Sequence, residues 1–306
     1  MRAVSYDSYA SDNSRLEVGD VPDPKVGPGQ VLIEVRAAGV NPVDWKVMAG
    51  GLDGMMDAMF PVVPGWDVAG VVRALGPDTP DFAPGDEVMS YARKDVVGAG
   101  TFAQYVAVSA DDVARKPQSL GWTEAGGLPL AGMTAQRALD RLEIGKGDVL
   151  LVHAASGGVG GFAVQIARDR GARVIGTASV KNHDYLRELG AEPVAYGEGL
   201  AERVRDLAPG GVTAVADFVG GQLDTTLAVL ATGGRHVSVA DNTVDEHGGH
   251  WIWVRPDGAK LADLARLVDR GALEVEVAGT FALEETGAAF DASRSGHTRG
   301  KLVITP

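Results

Sequence analysis

The stretch Val149-Leu-Leu-Val-His-Ala-Ala-Ser-Gly-Gly-Val-Gly-Gly161 decides how this chain is read. Its first half, Val149 to His153, is a continuous apolar run, as in a parallel strand covered on both faces. Its second half is glycine-rich, and beyond it Val159, Ala163, Ile166 and Ala167 recur at helical spacing. That helix closes on Arg168-Asp-Arg170 before Gly171, a charged last turn with a glycine stop. Gly158-Val-Gly-Gly-Phe-Ala163 fits G-x-G-x-x-A, and Ala154 to Gly160 fits A-x-x-G-x-x-G. In a chain with 42 glycines the pattern by itself is equally a tight turn between strand and helix. The apolar strand before it and the amphipathic helix after it favour the other reading. The backbone amides of Ser156, Gly157, Gly158, Val159 and Gly160 then cradle a pyrophosphate at a helix N-terminus.

The same rhythm continues toward the C-terminus. Arg173–Gly176 precedes a helix from Asn182 to Leu189, and Pro193–Tyr196 precedes Leu200, Val204 and Leu207 at helical spacing. Ala214–Phe218 is followed by Leu223, Leu227 and Leu230, and then by Arg235–Val239. Strands alternating with helices of this length predict an α/β fold with a doubly wound parallel sheet. After Trp251-Ile-Trp-Val254 comes one more helix, with Leu261, Leu264, Leu267 and Val268, and Gly300–Thr305 is a last strand that order alone assigns to the N-terminal sheet. The first third differs. Gln30–Arg36, Asp67–Arg73, Asp86–Tyr91 and Thr101–Val108 are short, β-branched segments separated by Pro/Gly clusters, the pattern of a small barrel. The expected divisions are a barrel domain over 1–120, a nucleotide domain over 121–255, and a segment 256–306 that returns to the barrel.

Lys and Arg number 28 against 41 Asp and Glu, a net charge of −13, which repels nucleic acid and anionic membranes. With no cysteine there are no disulfides, thiolate metal sites or cysteine nucleophiles. No basic leader precedes an apolar segment, and the longest apolar stretch, Val149 to Ala167, is interrupted by the glycines, so a soluble cytoplasmic protein is expected.

A loop that binds NAD is usually followed, about 20 residues on, by an acidic residue for the ribose 2′-hydroxyl. Here the end of the second strand reads Thr177-Ala-Ser-Val-Lys-Asn182, without one. A carboxylate about 4 Å from a 2′-phosphate would cost on the order of 4 kcal/mol. Its absence, with Ser179 and Lys181 in its place, points to NADPH. Ser179 or Asn182 can instead cap the next helix; Asn182 is the expected cap, which leaves Ser179 and Lys181 for phosphate.

Further segments carry a family resemblance: Ala37-Ala-Gly-Val-Asn-Pro-Val-Asp-Trp-Lys46, Phe60-Pro-Val-Val-Pro-Gly-Trp-Asp-Val-Ala-Gly70, Phe82-Ala-Pro-Gly-Asp-Glu-Val88, Leu128-Pro-Leu-Ala-Gly-Met-Thr-Ala135 and Thr298-Arg-Gly-Lys301. With the glycine loop they make the chain, over essentially its whole length, resemble the medium-chain dehydrogenase/reductase superfamily in its zinc-free quinone oxidoreductase branch. The resemblance implies a GroES-like barrel, a Rossmann domain, an active-site cleft between them, and commonly a homodimer. Zinc-dependent members carry Cys where this chain has Asn41 and His-Glu where it has Trp66-Asp67, so no zinc is expected. The implied activity is NADPH-dependent reduction of a small-molecule quinone or α,β-unsaturated ketone. A reductase or cyclase dedicated to one enone, and an NADPH-binding protein without turnover, stay open.

Carried over by position, Asn41 and Thr134 line the nicotinamide side and Thr177, Ser179, Lys181 and Tyr196 the adenosine phosphate end. Val219, Ser238 and Val239 flank the ribose and nicotinamide, and Gly300 and Lys301 close from the far side. Tyr196 is equally a strand-end residue and Lys301 a solvated edge charge. The tyrosine that related enoyl-thioester reductases carry shortly after the Asn-x-x-Asp segment is missing from Val47–Gly54. Tyr91 and Lys94, with Arg93 between them, are candidates to donate to the substrate oxygen, or they form a surface turn. Asp44 and Trp45 are candidates for the substrate wall, as are Trp251 and Trp253; Asp44 can instead brace its loop, and Trp-Ile-Trp can be core.

Overall fold

Strand Val149–His153 lies inside a six-stranded sheet whose spatial order is Glu192–Ala195, Arg173–Ala178, Val149–His153, Val212–Asp217, Leu230–Ser238 and His250–Trp251. Every pairing in it is parallel. The order runs outward from Val149–His153 in both directions, so the chain reverses at that strand and opens a crevice at the strands' C-terminal ends. The computed structural model describes residues 1–306 and separates them into two compact units. This sheet belongs to the unit formed by Ala131–Val254 and Ala272–Glu274.

The apolar runs explain the sheet. Leu151, Ile175, Val194 and Val215 are buried with Leu200, Val204 and Val229 from the helices Leu200–Leu207 and Leu223–Val229. Each such side chain contributes roughly 1.5–3 kcal/mol by leaving water. The helix after the glycine loop, Gly158–Asp169, buries everything from Gly160 to Ala167, a helix covered on nearly all sides. One periodic reading fails: Leu230 follows the spacing of Leu223 and Leu227 but begins the strand Leu230–Ser238, where it pairs with Val212. Sheet pairing overrides helical spacing there.

The other unit comprises Met1–Leu130, Arg255–Gly271 and Val275–Pro306. Its main sheet runs Val277–Ala282, Lys301–Thr305, Gln30–Val40, Asp67–Leu75, Glu87–Tyr91 and Val113–Arg115, with Tyr105–Ser109 also paired to Gln30–Val40. The last strand therefore does join the N-terminal sheet: Leu302 pairs with Val40 and Ile304 with Ala38. No helix is long and apolar enough to cross a membrane.

Candidate functional site

The glycine loop is built by its neighbours. Ala154, just past the strand, adopts φ +55 and donates its N–H to the Thr177 hydroxyl at 3.0 Å; Ala155 donates to the Thr177 carbonyl at 3.0 Å. Thr177 is thus buried beneath the loop and holds it, rather than facing a ligand. The first hydrogen bond of the helix runs from Gly161 N–H to the Gly157 carbonyl at 2.9 Å. The amides of Gly158, Val159 and Gly160 precede it and have no carbonyl of the helix to pair with. A Cβ on Gly160 would lie 2.2 Å from the Ala154 oxygen, so only glycine lets loop and helix come this close. Free amides at a helix N-terminus, beside a cradle without side chains, fit the pyrophosphate of a nicotinamide dinucleotide.

Beside the loop the expected cap is corrected. Asn182 makes no capping bond from its side chain; its Nδ2 donates to Ser156 Oγ at 3.1 Å, a partner that local sequence does not reveal. Ser179 makes no capping bond either, and Lys181 is exposed without an ion-pair partner. Register sets Ala178 opposite Ala195, so Ser179 and Tyr196 are the next residues on adjacent strands, with Tyr196 58% exposed.

On the loop's other flank, Asp217 ends its strand opposite His153. Its carboxylate accepts the amides of Val219 at 2.9 Å and Gly220 at 3.0 Å and the Ser238 hydroxyl at 2.9 Å. Ser238 is fully buried, and its oxygen accepts the amides of Ala240 and Asp241. It shapes the loop after Val239 instead of touching a ligand, which corrects its expected role. Val219 is exposed and Val239 half-buried. His153 is buried with Nε2 unpartnered; burial holds its pKa below the ordinary histidine value, against the pull of Asp217. Thr134 is buried in the helix Pro129–Arg141. Trp251 and Trp253 pair edge to face at 6.0 Å, half-buried at the sheet's edge.

In the first unit four polar residues meet in the interior. Asn41 donates through Nδ2 to Asp67 Oδ2 at 2.8 Å and through its backbone N–H to Asp44 Oδ2 at 2.8 Å. The Lys301 ammonium donates to Asn41 Oδ1 and, at 3.1 Å, to the Val40 carbonyl. Asp67 Oδ1 accepts the Leu130 amide at 2.7 Å. Lys301 is therefore neither a solvated edge charge nor an open face of the site, and Asn41 has its amide fully engaged. The cause is the strand Lys301–Thr305, which brings Lys301 beside the end of Gln30–Val40 after the left-handed turn at Gly300. Burial raises the Asp67 pKa to about 6, with Lys301 opposing, and raises Asp44 to about 8, with the Asn41 amide opposing and the Asp67 charge adding to the rise.

Asp44 Oδ1 is buried without a partner, so ionisation gains this carboxyl little. Because its folded pKa lies above the unfolded value, the folded state holds the proton more tightly, and stability from this group falls as pH rises from about 4 to 8. Asp44→Asn should flatten that decline: urea unfolding at pH 5 should show little change, and at pH 9 a variant more stable than the parent by a few kcal/mol.

The remaining candidates are used internally. Tyr91 ends its strand 1% exposed, packed 6.2 Å from Trp66, and burial pushes its pKa up. It is neither an open donor nor part of a surface turn. Lys94 Nζ donates to the Ala99 carbonyl at 2.9 Å, and burial lowers its pKa. Trp45 donates to Ser293 Oγ at 3.1 Å beneath the Arg294 guanidinium, which anchors the helix Pro42–Met48 to Thr286–Arg294. Asp44 braces Asn41. Sequence reasoning passed over Asp67 as a site residue, although a lone carboxylate heading the apolar strand Asp67–Leu75 is itself a sign of a buried, partnered charge.

Residues 27–118 match the alcohol dehydrogenase GroES-like domain, and residues 189–304 a family described as zinc-binding dehydrogenase. The chloroplastic NADPH-dependent alkenal/one oxidoreductase of Arabidopsis thaliana is 34% identical over 316 residues, covering 100% of this chain and 80% of that protein. A chloroplastic quinone-oxidoreductase of Triphysaria versicolor is 31% identical over 330 residues, with coverage of 100% and 98%. The solved quinone oxidoreductase of Coxiella burnetii superposes with a TM-score of 0.90 at 33% identity, covering 100% of this chain and 99% of that one. The second family description implies zinc, and the donors here do not fit it. The chain has no cysteine, no group of three or more His, Asp or Glu side chains is placed to hold a metal ion, and the Asn41 oxygen already receives an ammonium.

Proposed function

Because the chain belongs to the medium-chain dehydrogenase/reductase superfamily, in its quinone oxidoreductase branch, we propose that it reduces quinones or α,β-unsaturated ketones with NADPH. The observation that carries the reading is the cradle of free amides at Gly158–Gly160 beside Ser179 and an unpaired Lys181, with no acidic residue over 179–182. A bound reduced nicotinamide supplies the two electrons of the reaction. The amides of Gly158 to Gly160 bind the pyrophosphate, with the Gly157 N–H kept by the Ala154 carbonyl at 3.0 Å; Ser179, Lys181 and Tyr196 take the 2′-phosphate end, and Val219 and Val239 offer apolar surface beside the ribose. The proton that completes the reduction comes from solvent in this reading, since Tyr91 is buried and Lys94 is bound to a carbonyl.

Stopped-flow loss of NADPH absorbance against a panel of quinones and enones tests the activity. Turnover of many quinones supports it; one slowly reduced enone points to a dedicated reductase, and tight binding without oxidation to a protein that only holds the cofactor. Lys181→Glu places a carboxylate where the 2′-phosphate would sit. It should weaken NADPH roughly 100-fold and NADH less than threefold by calorimetry. Equal weakening would assign Lys181 to the fold alone.

A further inference from the structure

We propose that Arg203 is a positioning residue for the 2′-phosphate end of the site, acting through the turn that carries Tyr196 and through a charge that no carboxylate pairs. The inference rests on the NADPH reading and deepens it.

The turn after Glu192–Ala195 reads Tyr196-Gly-Glu-Gly199, with Gly197 at φ +96 and Gly199 at φ +73. Two glycines in left-handed conformations within four residues make a backbone that does not hold its own shape. Arg203, in the first turn of the helix Leu200–Leu207, reaches back and supplies the constraint. Its Nε and Nη2 donate to the Ala195 carbonyl at 3.2 and 2.9 Å, its Nη1 to the Glu198 carbonyl at 2.8 Å, and its Nη2 to the Gly197 carbonyl at 3.4 Å. One planar fork therefore gathers three carbonyls of the segment on either side of Tyr196, which stays exposed beside Ser179.

All of these acceptors are neutral. No carboxylate is paired with the guanidinium; the Glu202 carboxylate is its nearest acidic neighbour, on the Gly199 side of the turn. The contrast with Arg173 is informative. At the beginning of the adjacent strand, that arginine is neutralised by a two-pronged pair with Glu192 at 2.6 and 2.7 Å. At the end of the strands, Lys181 and Arg203 are both without a carboxylate, and they follow the same two strand ends that present Ser179 and Tyr196. Two cations without an ion-pair partner, following strand ends that present a hydroxyl and an exposed aromatic ring, suit a phosphate monoester on a nucleoside. A neutral ribose 2′-hydroxyl gains nothing from them.

Calorimetry with NADPH and NADH on the parent, Arg203→Gln and Arg203→Lys tests this. Arg203→Gln should weaken NADPH roughly tenfold while NADH stays within twofold. Arg203→Lys, which keeps the charge but cannot span three carbonyls, should weaken NADPH roughly threefold with NADH again unchanged. It remains readable if the glutamine variant does not fold. Equal weakening of both cofactors, or no change in either, would overturn the proposal. A parent protein that does not prefer NADPH over NADH would instead overturn the NADPH reading, and this inference with it.

Discussion

Alanine at position 160 should give a folded protein that no longer saturates with NADPH. Its Cβ would stand 2.2 Å from the Ala154 oxygen and 2.7 Å from the Ala155 Cα, and both are backbone atoms with no rotamer to yield. The loop has little slack, because Ala154 is already at φ +55 and Thr177 fixes the two amides that follow the strand. Relief has to come from moving the loop off the start of the helix, which scatters the amides that converge on one anion. Losing two charge-assisted hydrogen bonds at roughly 1.5–3 kcal/mol each corresponds to a fall in affinity of about 100-fold or more. The strain should cost about 1–3 kcal/mol of stability, visible in urea unfolding without loss of the helical circular dichroism. Gly157→Ala is the control for the stability term alone: the nearest atom to its added Cβ is 3.3 Å away, a small adjustment absorbs it, and urea unfolding should be nearly unchanged. Undiminished binding by Gly160→Ala would show that these amides do not hold the phosphate.

Lys301→Met should cost about 3–5 kcal/mol at pH 7 and clearly less at pH 5. Methionine roughly fills the space of the stem but leaves Asp67 fully buried with no cation beside it. Asp67 and Asp44, with pKa values of about 6 and 8, are both largely protonated at pH 5, so the missing charge matters little there. A second change, Asp67→Asn, should recover part of the loss at pH 7 because it removes the unpaired carboxylate. Urea midpoints for the three variants at the two pH values decide it. A penalty independent of pH would mean that Lys301 contributes packing and hydrogen bonds only.

The two cases differ in how far sequence reveals them. The loop is legible because all its signals are local: an apolar strand, glycines at fixed spacing, and a periodic helix within 21 residues, Val149–Asp169. The sheet follows for the same reason, since each strand and its following helix announce themselves over short windows. The buried cluster gives almost no such signal. Asn41 and Lys301 meet across 260 positions, and nothing near Lys301 shows that its ammonium ends inside the protein. Asn182 shows the same limit: as a residue before a helix it reads as a cap, and only the fold reveals Ser156 as its partner. Tyr91 and Trp45 looked like site residues because polar and aromatic groups near a presumed cleft invite that reading. Their real contacts, with Trp66 and with Ser293, are tertiary.

The strand Lys301–Thr305 has a consequence for the order of events on the ribosome. Residues 131–254 are contiguous and can begin folding soon after they leave the exit tunnel. The sheet of residues 1–130 stays without one neighbour to Gln30–Val40, and Asp67 without the Lys301 charge, until Lys301–Thr305 has been made. On the ribosome the nearly contiguous unit can therefore complete its sheet before the segmented one does.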